Sequence, residues 1–197
     1  MQSRPDSALV ELVELFARLR VECAWKAAQT HGSLARHLLE EAYEAVEAIE
    51  TGDAVHLREE LGDVLLQVYL HAAIAAEAGD FDIEDVAVGL REKMVLRNPH
   101  VFGNVEESDP EQINATWESI KSAEKQRSDP LDGIPLALPA LSRAVKVLER
   151  LERAGVPTEP IGGDDLGDRL LSLVVEARAA GVDPEKALRG AVRRISP

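Results

Sequence analysis

The sequence predicts an all-α protein, and three observations carry that prediction. Ala, Leu, Glu and Arg dominate a chain of 197 residues in which aromatics make up only 4%, a composition typical of helices. Apolar residues recur at helical period along nearly the whole chain, with no stretch of strand-like alternation. Ser, Asp, Gly and Pro punctuate those stretches where helix ends require them. Helical hairpins with one apolar stripe each need partners, so further packing against those stripes is expected.

In chain order, Leu9, Leu12, Val13, Phe16 and Leu19 predict a first helix over about residues 6 to 20, before an irregular stretch from Cys23 to Gly32. Ser33 is the expected cap of the next helix, whose stripe is Leu38, Ala42, Ala45 and Ile49. After a break at Gly52-Asp53, Asp53 opens a helix to about Ala78 with the stripe Leu61, Leu65, Val68, Ala72 and Ala75. Gly79-Asp80 ends it, and Asp82-Ile83-Glu84-Asp85 caps a fourth helix through Leu96. A loop built on Asn98-Pro99-His100 and Phe102-Gly103 leads to Asp109-Pro110, an N-cap acid before a first-turn proline. The helix opened there carries Trp117, Ile120, Lys121 and Lys125. From Ser128, three prolines mark a linker and a helix to about Ala154, and Gly and Pro concentrate again over residues 155 to 163.

The C-terminal segment echoes the first half. Leu166-Gly167-Asp168 repeats Leu61-Gly62-Asp63, and Asp183-Pro184-Glu185 matches Asp82-Ile83-Glu84. The chain thus divides into a domain over 1–127, a linker and helix over 128–163, and a degenerate second repeat over 164–197. That repeat keeps the Leu-Gly-Asp anchor and lacks the acidic step preceding it in the first copy. Chance similarity between two Leu-rich helices is the alternative.

Composition excludes several function classes. A net charge of −14 disfavours a nucleic-acid polymer, whose affinity rests on neutralising many phosphates; one bound nucleotide remains compatible, because an ion and a few cations can invert the local field. The single cysteine, Cys23, excludes an internal disulfide and fits a reducing compartment. No apolar run approaches the roughly 18 residues of a membrane helix, and no signal-peptide core is present. The expectation is a cytoplasmic, membrane-free protein.

The chemistry lies in two acidic steps, Glu40-Glu41-x-x-Glu44 and Glu60-x-x-Asp63. Residues three or four apart share a helix face, so Glu41 pairs with Glu44 and Glu60 with Asp63. If the Gly52-Asp53 break folds the second helix back on the first, the four carboxylates converge into a metal cage. The plain alternative is a solvated acidic face. Against it stand the adjoining apolar stripes and Gly62, which costs about 1 kcal/mol in a helix and signals close approach of another group. Lys93 and Arg97 share a face four residues apart.

These motifs resemble the MazG family of all-α nucleoside triphosphate pyrophosphohydrolases. The resemblance rests on Glu40, Glu41, Glu44, Glu60 and Asp63, on Cys23-x-Trp25 with Gln29-Thr30-His31, on Lys93 to Gly103, and on Trp117-x-x-Ile120-Lys121. Ala24 and Lys26 stand where the family usually has Pro and Asp. The resemblance implies Mg²⁺-dependent hydrolysis of nucleoside triphosphates between the α and β phosphates, with Mn²⁺ able to substitute, in a four-helix-bundle-type domain assembled in a homodimer. Glu41, Glu44, Glu60 and Asp63 become the metal ligands and Glu40 the general base, with a solvated glutamate as its alternative. Lys93 and Arg97 become phosphate-binding and catalytic cations rather than surface ion pairs, and Lys121 repeats the pattern with Lys125. Asn98 and His100 either contact sugar or phosphate or build the turn around Pro99. Trp25 and Trp117 either stack on a base or pack. Cys23 and His31 are structural, because His31 lacks zinc-site partners. Two rival functions remain: a di-iron carboxylate bundle, which lacks its Glu-x-x-His pairs, and a non-catalytic helical protein whose acidic face binds a basic partner.

Overall fold

The computed structural model describes residues 7–126, 128–157 and 165–195, and every described element is helical. In chain order these are α1 (Ala8–Glu22), α2 (Ala24–Ala27), α3 (His31–Thr51), α4 (Ala54–Ala78), α5 (Ile83–Arg97), α6 (Pro99–Phe102), α7 (Pro110–Glu124), α8 (Ala140–Arg153), α9 (Leu166–Ala179) and α10 (Pro184–Arg193). The all-α expectation holds. The expected irregular stretch after Cys23 contains the single turn α2, and the expected loop after Asn98 contains the single turn α6.

Local chemistry explains the ends. Thr30, not Ser33, is the N-cap of α3: Thr30 accepts from the Ser33 backbone N–H while the Ser33 side chain accepts from that of Thr30, a reciprocal capping box. Asp53 caps α4 through Oδ1, which accepts from the Val55 and His56 backbones at 2.9 and 3.1 Å. Asp82 and Asp85 form a second capping box at α5. Gly52 and Gly79 close α3 and α4 in the left-handed region, both at φ 76°, where a Cβ is strained.

The chain divides into two compact units, Met1–Asn114 and Ala115–Pro197, with α7 lying across the division. In the first, α4 is central and packs on α1, α3 and α5. Phe16, Leu34, Tyr69 and Leu70 form its buried cluster, supported by Leu12, Leu19, Leu65, Leu66, Ile74 and Ile83. Phe16 stacks on Tyr69 with ring centroids 5.5 Å apart, and the Tyr69 hydroxyl donates to the Leu9 carbonyl at 2.6 Å. Buried Arg20 donates to both oxygens of Glu77 at 2.7 Å, to the Gln29 carbonyl at 3.1 Å and to the Lys26 carbonyl. This clamp ties α1, α4 and the turn around α2 together.

Three expectations need correction. The buried face of α3 is Leu34, Ala45 and Ala48, whereas Leu38 and Ile49 of the predicted stripe point outward, as does Leu61 on α4. Apolar residues occur on both sides of α3, so its sequence permits more than one phase. Gly62 is not a close-approach glycine within the described residues: a Cβ there would meet nothing within 4 Å. Finally, α4 is long and apolar enough to cross a membrane by length and composition, with a mean hydropathy of 1.2 over its best 18-residue window. Gln67, Tyr69 and His71 interrupt its apolar run, yet averaging with many Ala and Leu reaches that value. Its buried Glu60 and Gln67, and its packing on three neighbours, are features of a core helix.

In the second unit, α8, α9 and α10 pack pairwise around buried Leu148 and Val174. The Leu166-Gly167-Asp168 echo falls at the first turn of α9, capped by Asp165, whereas Leu61-Gly62-Asp63 lies inside α4. Within that unit Arg153 and Lys121 both reach Glu118, at 3.1 and 3.0 Å. Of the predicted Gly/Pro loop, residues 158–163 lie outside the described residues.

Candidate active site

The acidic steps meet because of their distance from the turn. Glu41 stands eleven residues before Gly52 and Asp63 eleven after; Glu44 stands eight before and Glu60 eight after. With a rise of about 1.5 Å per residue on each arm of a hairpin, positions equally far from the turn lie at the same height. The packing of α3 on α4 then faces them toward each other. One carboxylate oxygen from each of Glu41, Glu60 and Asp63 lies within 4.8 Å of the others.

Glu60 is buried, with 7% of its surface exposed, which removes it from the class of solvated helix-face acids. Its Oε1 is paired with His56 Nε2 at 2.9 Å. Its Oε2 is buried without a hydrogen-bond partner. An orphaned buried carboxylate oxygen costs on the order of 1–3 kcal/mol or more, and two further carboxylates beside it add repulsion. Burial first, and then Asp63, Glu44 and Glu60, hold the Glu41 carboxyl above its ordinary range. Glu44 is exposed and close enough to Glu41 to raise its carboxyl, so it adjoins the three-carboxylate set without belonging to it. An all-oxygen, net-negative donor group with an unsatisfied buried oxygen fits a hard divalent cation.

The other predicted residues fall at different places. Glu40 is exposed, outside the three-carboxylate group and paired with His37 Nδ1 at 2.9 Å. His37 also meets Trp25 edge-on at 6.2 Å, and Lys26 Nζ lies 5.1 Å from the Trp25 ring. Trp25, Lys26, His37 and Glu40 therefore form one surface group. Lys93 is half-buried and Arg97 buried near the end of α5, which packs on α4. The Asn98 amide donates to the Met94 carbonyl at 2.7 Å, an interaction that closes α5. His100 lies half-buried on α6, close enough to Glu107 to interact electrostatically. Trp117 and Lys121 belong to the second unit, with Lys121 paired to Glu118. The two histidines that hold carboxylates, His37 and His56, are not among the predicted site residues. Their i,i+3 and i,i+4 spacing to Glu40 and Glu60 is the signal that could have found them.

Comparison with known proteins adds to this geometry. A profile of the MazG nucleotide pyrophosphohydrolase domain matches residues 29–102, the segment that contains both acidic steps. The nucleoside triphosphate pyrophosphohydrolase/pyrophosphatase MazG of Thermotoga maritima is 39% identical over 211 residues, covering 94% of this chain and 81% of that protein. The chain belongs to the MazG family. Its MazG relatives include the nucleoside triphosphate pyrophosphohydrolase of Mycolicibacterium smegmatis, 43% identical over 97% of this chain. The chain spans 58% of that relative's length. The crystal structure of a mazG-related protein from Thermotoga maritima superposes with a TM-score of 0.50 at 28% identity, over 57% of this chain and 98% of that one. The MazG fold is thus common to both.

Proposed function

We propose that this MazG-family chain hydrolyses nucleoside and deoxynucleoside triphosphates to the monophosphate and pyrophosphate, with Mg²⁺ as cofactor and Mn²⁺ as a substitute. The observation that carries the reading is the three-carboxylate group built around buried Glu60, whose Oε2 is orphaned. In this reading Glu41, Glu60 and Asp63 hold the ion and Glu44 completes or steers the set. Bound there, the cation supplies charge neutralisation for the phosphates and a lowered pKa for water.

The chain's own groups supply the rest. Glu40 accepts a proton as a water oxygen forms its bond to the α-phosphorus and the bond to the bridging β-phosphate oxygen breaks. Lys93 and Arg97 stabilise the charge on the departing pyrophosphate. Trp25, half exposed, offers a face for a base, and Asn98, His100, Trp117 and Lys121 are the further substrate contacts in this reading. The protein works as a homodimer in the cytoplasm, clearing unwanted nucleotides from the pool. A rival reading, an acidic face for a basic partner, requires solvent-exposed acids, and Glu60 is buried.

The deciding measurement is monophosphate and pyrophosphate release from a nucleotide mixture with and without Mg²⁺, with Glu60→Gln as the blank. Release above that blank only with Mg²⁺ is the expected outcome. Equal release from wild type and Glu60→Gln overturns the proposal.

A further inference from the structure

We propose that His56 is a positioning residue for the ion site: it pairs with one oxygen of Glu60 and thereby fixes the orientation of that carboxylate beside Glu41 and Asp63. The inference rests on reading those three carboxylates as the ion site. It extends that reading to a residue outside the acidic motif.

A glutamate carboxylate turns about a broad, two-fold terminal torsion. Burial alone does not decide which oxygen, or what orientation of the plane, faces a ligand. In Glu60 the choice is made. Oε1 is paired with His56 Nε2 at 2.9 Å, one turn earlier on α4, and Oε2 is the buried atom left without a partner. His56 is itself held: its backbone N–H donates to Asp53 Oδ1 at 3.1 Å, in the cap that starts α4. Turn, cap, imidazole and carboxylate form one continuous chain of contacts over Asp53, His56 and Glu60.

The other histidine–carboxylate pair marks the contrast. His37 holds Glu40, whose side chain is 59% exposed and lies outside the three-carboxylate group. A carboxylate in water reorients freely and gains little from such a bond. A buried metal-binding carboxylate is different, because outer hydrogen bonds to metal ligands are commonly worth 10–100-fold in metal affinity.

The test is Mn²⁺ binding to nucleotide-free protein, measured by the electron spin resonance of free Mn²⁺. The expected result is a 10–100-fold weaker Kd for His56→Ala. His56→Leu, which keeps bulk and removes the donor, should lose as much, and His56→Gln, which restores an N–H donor, should recover most of it. In the pyrophosphate assay the concentration of Mn²⁺ needed for half activation should rise by the same factor, with KM for the nucleotide at saturating Mn²⁺ unchanged. The side chain of His56 is 41% exposed, so these changes leave the core intact. Unchanged Mn²⁺ affinity in His56→Ala and His56→Leu, with binding abolished in Glu60→Gln, overturns the role of His56 and leaves the ion site standing. Unchanged binding in Glu60→Gln overturns both. A His56→Gln variant as weak as His56→Ala also overturns the positioning role.

Discussion

Among single residues, the three converging carboxylates set function against stability. Without an ion, Glu41 sits where burial and its acidic neighbours favour the neutral form. A carboxyl raised in the folded state contributes stability that is fully present below its unfolded value of about 4.3. That contribution is lost as pH rises through the raised value. Glu41→Gln should therefore raise the melting temperature of the chelator-treated protein at pH 8 by about 2–4 °C, the change that ~1 kcal/mol produces at this chain length. The difference should close near pH 4, and Mn²⁺ binding should be lost throughout. An equal or lower melting temperature at pH 8 contradicts the repulsive reading. The same arithmetic runs in reverse for Glu77, which the Arg20 hydrogen bond holds below its ordinary value. Its contribution is present above about pH 4.3 and disappears as pH falls through the depressed folded value. Glu77→Gln should cost about 1 kcal/mol at pH 7, Glu77 being half exposed. In urea titrations the gap from wild type should narrow steadily toward pH 3.

For the elements, the decisive unit is the α3–α4 hairpin. Its two-residue connection leaves the register of the acids no freedom, because Gly52 ends one helix in a left-handed conformation and Asp53 starts the next. Replacing Asp53 by Ala removes the one oxygen that accepts from two backbone N–H groups and should destabilise the fold. A urea titration should show a lower midpoint at unchanged slope. Because the same cap holds the His56 backbone, Asp53→Ala should also weaken Mn²⁺ binding, though less than His56→Ala does. A variant with unaltered midpoint would show that α4 starts without the cap. The caps of α4 and α5 are legible in the sequence because each lies within three residues of the groups it satisfies. The cap of α3 lies three residues before its expected place, since Thr30 and Ser33 satisfy each other and either can be read as the start.

In the whole molecule, the outward apolar residues carry the expectation of a partner. Leu38, Ile49 and Leu61, all members of the predicted core stripes, are exposed in the single chain. A homodimer would cover such a surface. Light scattering at micromolar concentration should return twice the chain mass, and Ile49→Asp should return the monomer mass with helical content retained. A monomeric wild type would remove the dimer from the proposed function. The two compact units also distribute the predicted residues unequally: the acidic cluster and Arg97 belong to the first, Trp117 and Lys121 to the second. Substitution of Lys121, already paired with Glu118, should therefore leave Mn²⁺ binding to nucleotide-free protein unchanged.

Helix content, most helix ends and the heights of the four acids are written in the chain, because backbone caps and i,i+4 contacts involve neighbours in sequence. Equal spacing from Gly52 is a matter of counting. The burial of Glu60 and the outward turn of Leu38 and Ile49 are not written there in the same way. They depend on which of two apolar faces of α3 meets α4, and that choice is made by the packing of α1, α3 and α5 around α4 rather than by the preferences of any one helix. The Leu-Gly-Asp echo shows the same limit: identical triplets lie inside one helix and at the first turn of another, because the position of a helix start depends on residues outside the triplet.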